Sequence, residues 1–154
     1  MNAYQDIEEF LGRKRLAVVG VSRDPKGFTR AMFRELLRCG YDAVPVTPNV
    51  SEVEGIPTFA HVQVVAPAAE AALLMTKPAV TDAVVRDCAQ AGIRSIWMYR
   101  GTGAGAVSPA AVDFCRESGA RVIAGKCPFM FLNDTHWLHR AHGFCRKLLG
   151  RYPR

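Results

Sequence analysis

The chain has 154 residues, of which 49% are hydrophobic and 22% charged, as in globular proteins that bury a core of their own. The formal net charge of +6 favours an anionic ligand or partner, and no apolar run is long enough to span a bilayer. The first residues include acidic side chains and lack the apolar core of a signal peptide, so we expect a cytoplasmic protein.

Strand and helix patterns alternate along the chain. The first element is an amphipathic helix with Ile7, Phe10 and Leu11 on one side. Short apolar strands are predicted, in chain order, at residues 16–20, 42–46, 70–75, 95–99 and 121–124. Helices are predicted between them at residues 27–39, 79–91 and 109–117, the last with Ser108 as its N-cap and Pro109 at its first position.

Apolar stripes mark the inward faces of the helices at 27–39 and 79–91: Met32, Phe33, Leu36 and Leu37 in the first, Val80, Ala83, Val84 and Cys88 in the second. Residues 54–59 are predicted as a loop with a short extended piece, and residues 61–65 as a helical turn. A final helix is predicted at residues 134–149. Its apolar residues Trp137, Phe144 and Leu148 make a homodimer plausible.

Strands that are separated by single helices predict a parallel sheet, and right-handed crossovers place the helices on both faces. We therefore expect an α/β fold, a Rossmann-like, doubly wound and mostly parallel sheet of about five strands, with a C-terminal helical tail. The length predicts a single domain over residues 1–154, with a core at 14–127 and an extension at 128–154.

In such a sheet, ligands bind beyond the carboxyl ends of the strands. The loops at those ends are residues 20–27, 47–49, 76–78 and 99–103, which are rich in Gly, Pro, Thr, Ser or basic residues. Lys77 and Arg100 lie there, either facing a ligand or solvated as ordinary loop cations.

The loop at residues 20–27, with the sequence GVSRDPKG, joins a strand to a basic amphipathic helix. A helix N-terminus offers backbone N–H groups and a partial positive charge, and small residues let a phosphate approach them. The turn differs from the dinucleotide fingerprint because Ser22 stands where the second glycine would be. It also differs from a P-loop, since no GK[ST] follows.

The loop after the second strand, Val46-Thr47-Pro48-Asn49, has no carboxylate to hold the ribose hydroxyls of NAD, so ordinary NAD binding is disfavoured. An adenosine with a phosphate on its ribose would need cations instead. Arg23, Lys26 and Arg30, in or just after the first turn, could supply charge-assisted contacts.

Three motifs resemble the CoA-binding domain family, a Rossmann-like domain also found at the N-terminus of the succinyl-CoA synthetase alpha subunit. They are Gly20-x-Ser22, the run GYDAVPVTP that begins at Gly40, and Lys126-Cys127. The resemblance covers roughly residues 10–127 and is to the free-standing form of the domain. Many relatives carry a lysine close after the proline of the second loop, whereas this chain has Asn49 and Val50.

The resemblance implies a set of ligand-binding residues. Those implied for the CoA phosphates are Gly20, Val21, Ser22 and Arg23, with Lys26 and Arg30 as charged helpers. Those implied near the adenosine are Thr47, Pro48 and Asn49, and those against the adenine or pantetheine are Thr76, Lys77 and Pro78. The ligand is then coenzyme A or an acyl-CoA.

The leading hypothesis is CoA binding without a catalytic apparatus of its own, because the acyl-transfer machinery of the resembling synthetase lies in further domains. The first alternative is an NAD(P)-binding, oxidoreductase-like domain. The second is a regulatory or assembly protein whose nucleotide site has degenerated. We expect no membrane partner, and nucleic acid is disfavoured because no RNP, KH or zinc-finger pattern is present.

The remaining chemistry-bearing residues are predicted to be structural. The five cysteines are odd in number and widely spaced, which argues against a disulfide framework or zinc ribbon. Cys39, Cys88 and Cys115 are expected as small buried hydrophobes, and Cys127 as a buried structural thiol. His136, His139, His142 and Cys145 are spaced along the tail helix without an H-E-x-x-H arrangement, which favours a basic helix face over a metal site.

Overall fold

The computed structural model describes residues 3–48, 50–101 and 103–132. Its helices are α1 (Ala3–Leu11), α2 (Phe28–Arg38), α3 (Pro78–Gln90) and α4 (Pro109–Glu117), with a 3-10 helix at Val62–Val64. Its strands are β1 (Arg15–Val19), β2 (Asp42–Val46), β3 (Glu52–Val53), β4 (Ile56–Pro57), β5 (Ala71–Leu74), β6 (Ser95–Tyr99) and β7 (Arg121–Lys126).

The central sheet has five parallel strands in the order β2-β1-β5-β6-β7. Beyond β2, Phe59 adds a single parallel bridge to Val46, and its backbone N–H donates to the Pro45 carbonyl at 3.0 Å. This bridge occupies the place that a third strand takes in the Rossmann order 3-2-1-4-5-6. The predicted Rossmann-like, doubly wound α/β fold is confirmed.

Each face of the sheet has its own core because side chains alternate along the strands. Leu16 and Val18 of β1 face α1 and α2, whereas Ala17 and Val19 face α3 and α4. On the first face the fully buried Trp97 packs edge-on against Phe10, with ring centroids 5.2 Å apart. Burial on both sides explains why the strands read as continuous apolar runs.

A small antiparallel hairpin, β3 and β4, forms where the sequence predicts a loop with a short extended piece. Glu54 and Gly55 make its turn with φ angles of 51° and 75°. Positive φ at both central residues is the conformation that matches the twist of a two-residue hairpin. The strained conformation of Glu54 places its carboxylate against α2, as described below.

The predicted apolar stripe of α3 is wrong at two positions. Val80 is 48% exposed and Ala83 is also exposed, whereas Thr81 and Val85 are buried beside Val84 and Cys88. The helix is rotated so that the Thr81 hydroxyl faces inward, where it has polar partners. A pattern that ranks residues by hydropathy alone cannot anticipate a buried threonine.

The other predicted elements match the observed ones to within a few residues. The helix at 3–11 buries Ile7, Phe10 and Leu11 as predicted, and the last strand extends to Lys126. The predicted tail helix and its contribution to a homodimer lie outside the described residues. Within residues 3–48, 50–101 and 103–132, none of the helices has the length and apolar character that a bilayer crossing requires.

The predicted burial of cysteines is observed for Cys88 and Cys115, which are 0% and 1% exposed. Burial raises the pKa of the Cys88 thiol to about 12 and that of Cys115 to about 11. Cys39 and Cys127 are only partly buried. The two buried thiols therefore stay protonated near neutral pH and act as small hydrophobes.

We predict that Gly20→Ala destabilises the protein far more than Gly40→Ala. Both glycines have positive φ, +93° and +88°, so both alanines carry a backbone cost of about 1 kcal/mol. A Cβ at Gly20 would also lie 2.6 Å from the Met75 carbonyl oxygen, whereas a Cβ at Gly40 meets nothing within 4 Å. Urea unfolding should show a further loss of about 2 kcal/mol for Gly20→Ala; equal losses would contradict the close approach.

Candidate functional site

Three loops meet where the order of the strands reverses, between β1 and β5. Gly20, directly after β1, donates its N–H to the Val46 carbonyl at the end of β2, at 3.2 Å. On its other side, Gly20 lies against the Met75 carbonyl directly after β5. The switch point of an open parallel sheet is where such folds bind ligands.

The turn at residues 20–27 is folded by its own polar side chains. Ser22 donates its backbone N–H to Thr29 Oγ1 at 2.8 Å, and Asp24 N–H donates to Ser22 Oγ at 3.0 Å. Lys26 N–H donates to Asp24 Oδ1 at 2.9 Å. Side chains that accept from the backbone two residues on stabilise tight turns, so the shape of this turn does not depend on a ligand.

Two arginines of α2 bind the carbonyls of this turn, and both also bind the carboxylate of Glu54. Arg30 Nε and Arg34 Nε donate to Glu54 Oε1 at 3.0 and 2.8 Å. Arg30 also donates to the carbonyls of Ser22 and Arg23, and Arg34 to that of Pro25. The predicted phosphate helper Arg30 thus directs its guanidinium to the protein itself.

These contacts perturb the titration of Glu54. The hydrogen bond from Arg30, with that from Arg34, holds the pKa of the Glu54 carboxyl below its usual value. The two guanidinium groups stabilise the carboxylate that in turn fixes their position. The triad of Arg30, Arg34 and Glu54 therefore connects the β3–β4 hairpin to the turn at residues 20–27.

The N-terminus of α2 points to the same place and lacks a side-chain cap. Gly27 is the N-cap residue, in extended conformation with φ −66° and ψ 149°. The first amides of a helix have no intrahelical acceptor, which makes this end a site for an anion. Arg23 and Lys26 are exposed in the adjoining turn and add positive charge.

The N-terminus of α3, which follows β5 at the switch point, offers fewer free amides, because Pro78 has no N–H and the Val80 N–H donates to the Lys77 carbonyl at 2.9 Å. Its N-cap residue Lys77 makes no side-chain cap, and Pro78 occupies the first turn. The α4 helix differs, because Ser108 Oγ accepts from the Ala111 N–H at 3.4 Å. Of these helices, α2 and α3 are thus the two that present uncapped ends at the crevice.

A buried threonine fixes the position of α3. Thr81 is 0% exposed, and its Oγ1 lies 2.7 Å from Thr76 Oγ1 and donates to the Ala106 carbonyl at 2.8 Å. Since Ala106 belongs to the connection between β6 and α4, one hydroxyl joins that connection to Thr76, in the loop after β5. Thr76 accordingly has a structural partner as well as its implied role against the ligand.

The remaining candidate residues are more scattered. Thr47 and exposed Pro48 follow β2, and the Thr47 N–H donates to the Phe59 carbonyl at 3.0 Å. Asn49 lies outside the described residues. Arg100 follows β6, two strands from β1, and its Nε donates to the Gly103 carbonyl at 2.9 Å. The structure therefore groups the first three loops closely and sets Arg100 apart.

A charged groove of about 380 Å³ lies at the opposite edge of the sheet, where β6 and β7 begin. Glu9 in this groove pairs with Arg13 at 2.8 Å and also with Arg121. Three arginines and two glutamates line it, and the groove lies away from the edge where parallel sheets bind ligands.

Metal-ligating side chains do not gather in the part of the chain that the structure describes, where no group of three or more His, Cys, Asp or Glu could hold an ion. His136, His139, His142 and Cys145 lie outside it.

Sequence reasoning missed Thr29, Arg34, Glu54 and Thr81. The signal for Thr29 was available, since it lies within the first turn of α2, directly after the glycine-punctuated loop. Glu54 and Arg34 are 20 residues apart, and their contact depends on how the hairpin folds back on α2. No local pattern encodes that distance.

The strand order defines a Rossmann-like domain, in which two helices without a side-chain cap follow the strands of the switch point. The sequence model of the CoA-binding domain family matches residues 14–133, and the chain belongs to that family. The resemblance stated from the sequence motifs is confirmed.

The chain is similar to other proteins over most of its length. It is 24% identical to the protein YneT of Bacillus subtilis (strain 168) over 123 residues, 79% of this chain and 88% of YneT. A hypothetical protein from Pyrococcus horikoshii OT3 superposes with a TM-score of 0.74 at 27% identity, covering 82% of this chain and 87% of that one.

Part of a larger enzyme has the same fold. The dinucleotide-forming acetyl-coenzyme A synthetase 1 of Ca. Korarchaeum cryptofilum matches with a TM-score of 0.67 at 22% identity. The match covers 77% of this chain and 27% of the synthetase. The chain therefore corresponds to about a quarter of that enzyme's length.

We predict that Glu54→Gln lowers the free energy of unfolding at pH 7 and that this difference disappears in acid. Because the folded pKa of Glu54 is lowered, its stabilisation is fully present above the ordinary value of 4.5. It is lost as the pH falls through the lowered value, where the wild-type side chain is also neutral. Urea unfolding from pH 7 to pH 3 measures this, with Glu52→Gln on the same hairpin as control; a pH-independent difference would contradict the ion-pair role.

We predict that Thr81→Val destabilises the protein by about 1–3 kcal/mol, because it leaves the buried Ala106 carbonyl without its donor. Valine has nearly the same shape, so the change removes the hydroxyl alone. Thr81→Ser keeps the hydroxyl and should cost about 1 kcal/mol or less. Chemical denaturation compares the two, and a valine variant as stable as wild type would refute the assigned role.

Proposed function

We propose that the protein binds coenzyme A or an acyl-CoA in the crevice at the switch point, without catalysing a reaction of its own. The observation that carries this is the pair of helix ends without a side-chain cap, α2 and α3, that follow the two strands of the switch point beside exposed cations. Membership of the CoA-binding domain family supports coenzyme A as the anion.

In the proposed mode the pyrophosphate lies against the turn at 20–27 and the first amides of α2. Arg23 and Lys26 contribute charge, while Ser22 closes the turn and can still donate its hydroxyl proton. Arg30 acts as a positioning residue, since it binds the carbonyls of that turn.

The strand order suggests where each end of the proposed ligand lies. The adenosine lies toward β2, near Thr47, Pro48 and Asn49. The pantetheine crosses β5, past Thr76, Lys77 and Pro78, toward β6. Ligand contacts with these residues remain predictions of the sequence and of family resemblance.

The proposed absence of catalysis draws support from the size of the matching enzyme. A synthetase with the same fold is about four times as long as the segment that matches this chain. The chemistry of that enzyme is not proposed for this chain.

We predict that coenzyme A stabilises the protein and that NADH does not. At about 100 times its Kd, a ligand that binds the folded state adds roughly 2.7 kcal/mol to the free energy of unfolding. Differential scanning fluorimetry and calorimetric titration should therefore show a response to CoA. A response to NADH or NADPH with none to CoA would overturn the proposal.

The same titrations locate the site. Lys26→Ala should weaken CoA binding roughly three- to tenfold, because one charge-assisted contact to phosphate is lost. Lys14→Ala removes the same charge at the opposite edge of the sheet, where β1 begins, and should leave the Kd unchanged. Equal effects of the two variants would show that only net charge matters.

A further inference from the structure

A cluster of three aromatic rings, of which Phe28 is exposed and Tyr99 and Phe129 are partly buried, adjoins the turn at residues 20–27. Phe28 follows the N-cap Gly27 directly, and its ring lies 5.1 Å from that of Tyr99 and 5.4 Å from that of Phe129. We call these three rings the aromatic wall. Phe28 is 45% exposed, and Met130, beside Phe129 in sequence, is 72% exposed.

Phe28 is one of the large hydrophobic side chains that remain exposed. Large apolar groups that cluster on a surface commonly mark a binding site. The wall is also continuous with the proposed ligand site, since Phe28 belongs to both the helix end and the wall.

The reach of the ligand fits this position, if the proposed function holds. Tyr99 ends β6, which is two strands from β1, so the wall extends from Phe28 at the start of α2 to Tyr99, about 10 Å across the sheet from β1. The pantetheine arm has about a dozen bonds between pyrophosphate and sulfur, as many as four peptide residues, and spans about 13 Å when extended. With the adenosine toward β2, the sulfur arrives at the wall.

The side chains of the wall carry no charge at physiological pH. Burial, with a smaller effect of Cys127, raises the pKa of Tyr99, so its hydroxyl stays neutral at physiological pH. The Arg100 guanidinium, which could have added charge here, donates to the Gly103 carbonyl of its own loop. A group attached to the sulfur would therefore leave water for contact with aromatic rings.

We propose that the aromatic wall makes this protein a receptor for CoA thioesters with apolar acyl groups, in preference to free CoA. The inference rests on the proposed function and adds the class of ligand. Burial of apolar surface favours the acyl chain by about fourfold for each fully buried methylene, and by about twofold for a half-buried one.

The test compares the Kd values of free CoA, acetyl-CoA, hexanoyl-CoA and succinyl-CoA by calorimetric titration of the full chain. Hexanoyl-CoA should bind about tenfold more tightly than CoA, with acetyl-CoA between them. Equal affinities, or a preference for the acidic succinyl group, would overturn this proposal and leave CoA binding intact. Failure of every CoA compound to bind would overturn both proposals.

The Phe28→Ala variant locates the effect. The ratio of the Kd for CoA to that for hexanoyl-CoA should fall at least fivefold relative to wild type. Val64→Ala truncates another exposed apolar side chain, in the 3-10 helix on the other face, and should leave the ratio unchanged. A ratio unaffected by Phe28→Ala would show that the preference, if present, arises elsewhere.

Discussion

The close approach of the chain at Gly20 to the carbonyl of Met75 is the constraint on which the crevice depends. No side chain fits there, because a Cβ would lie 2.6 Å from that oxygen and the φ angle is +93°. The contact lets the turn rise directly between β2 and β5, so that α2 and α3 begin on either side of one point.

The cations around this point divide into two kinds. Arg30 and Arg34 are bound to Glu54 and to the carbonyls of the turn, a role for which the planar guanidinium with several donors is suited. Lys26 and Lys77 are exposed, and an ammonium group is a compact charge that can follow a ligand. Arg30 and Arg34 thus build the turn, and Lys26 and Lys77 remain, with the exposed Arg23, as candidates for the phosphate.

The sequence predicted the fold well because its signals are local. Apolar runs, glycines after helices and the Ser108-Pro109 cap lie within a few residues of what they determine, and the placement of helices on both faces follows from the right-handed crossover rule. The features of the structure that the sequence did not predict depend on tertiary contacts. The rotation of α3 that buries Thr81 requires the Ala106 carbonyl 25 residues away, and the partners of Arg30 require the hairpin. The assignment of ligand contacts to individual site residues remains a prediction.

The residues that line the crevice change along the sheet from charged to aromatic. This change limits the ligands that fit it. Its β1 and β5 part combines helix ends with exposed cations, whereas the rings of Tyr99 and Phe129, which contact Phe28 of α2, lie toward β6 and β7. A dinucleotide is polar at both ends and would leave those rings against a sugar or a charged ring. A CoA thioester is anionic in the middle and apolar at its acyl end. The order of these chemical groups along the ligand matches their order along the crevice, which a phosphate site alone would not require.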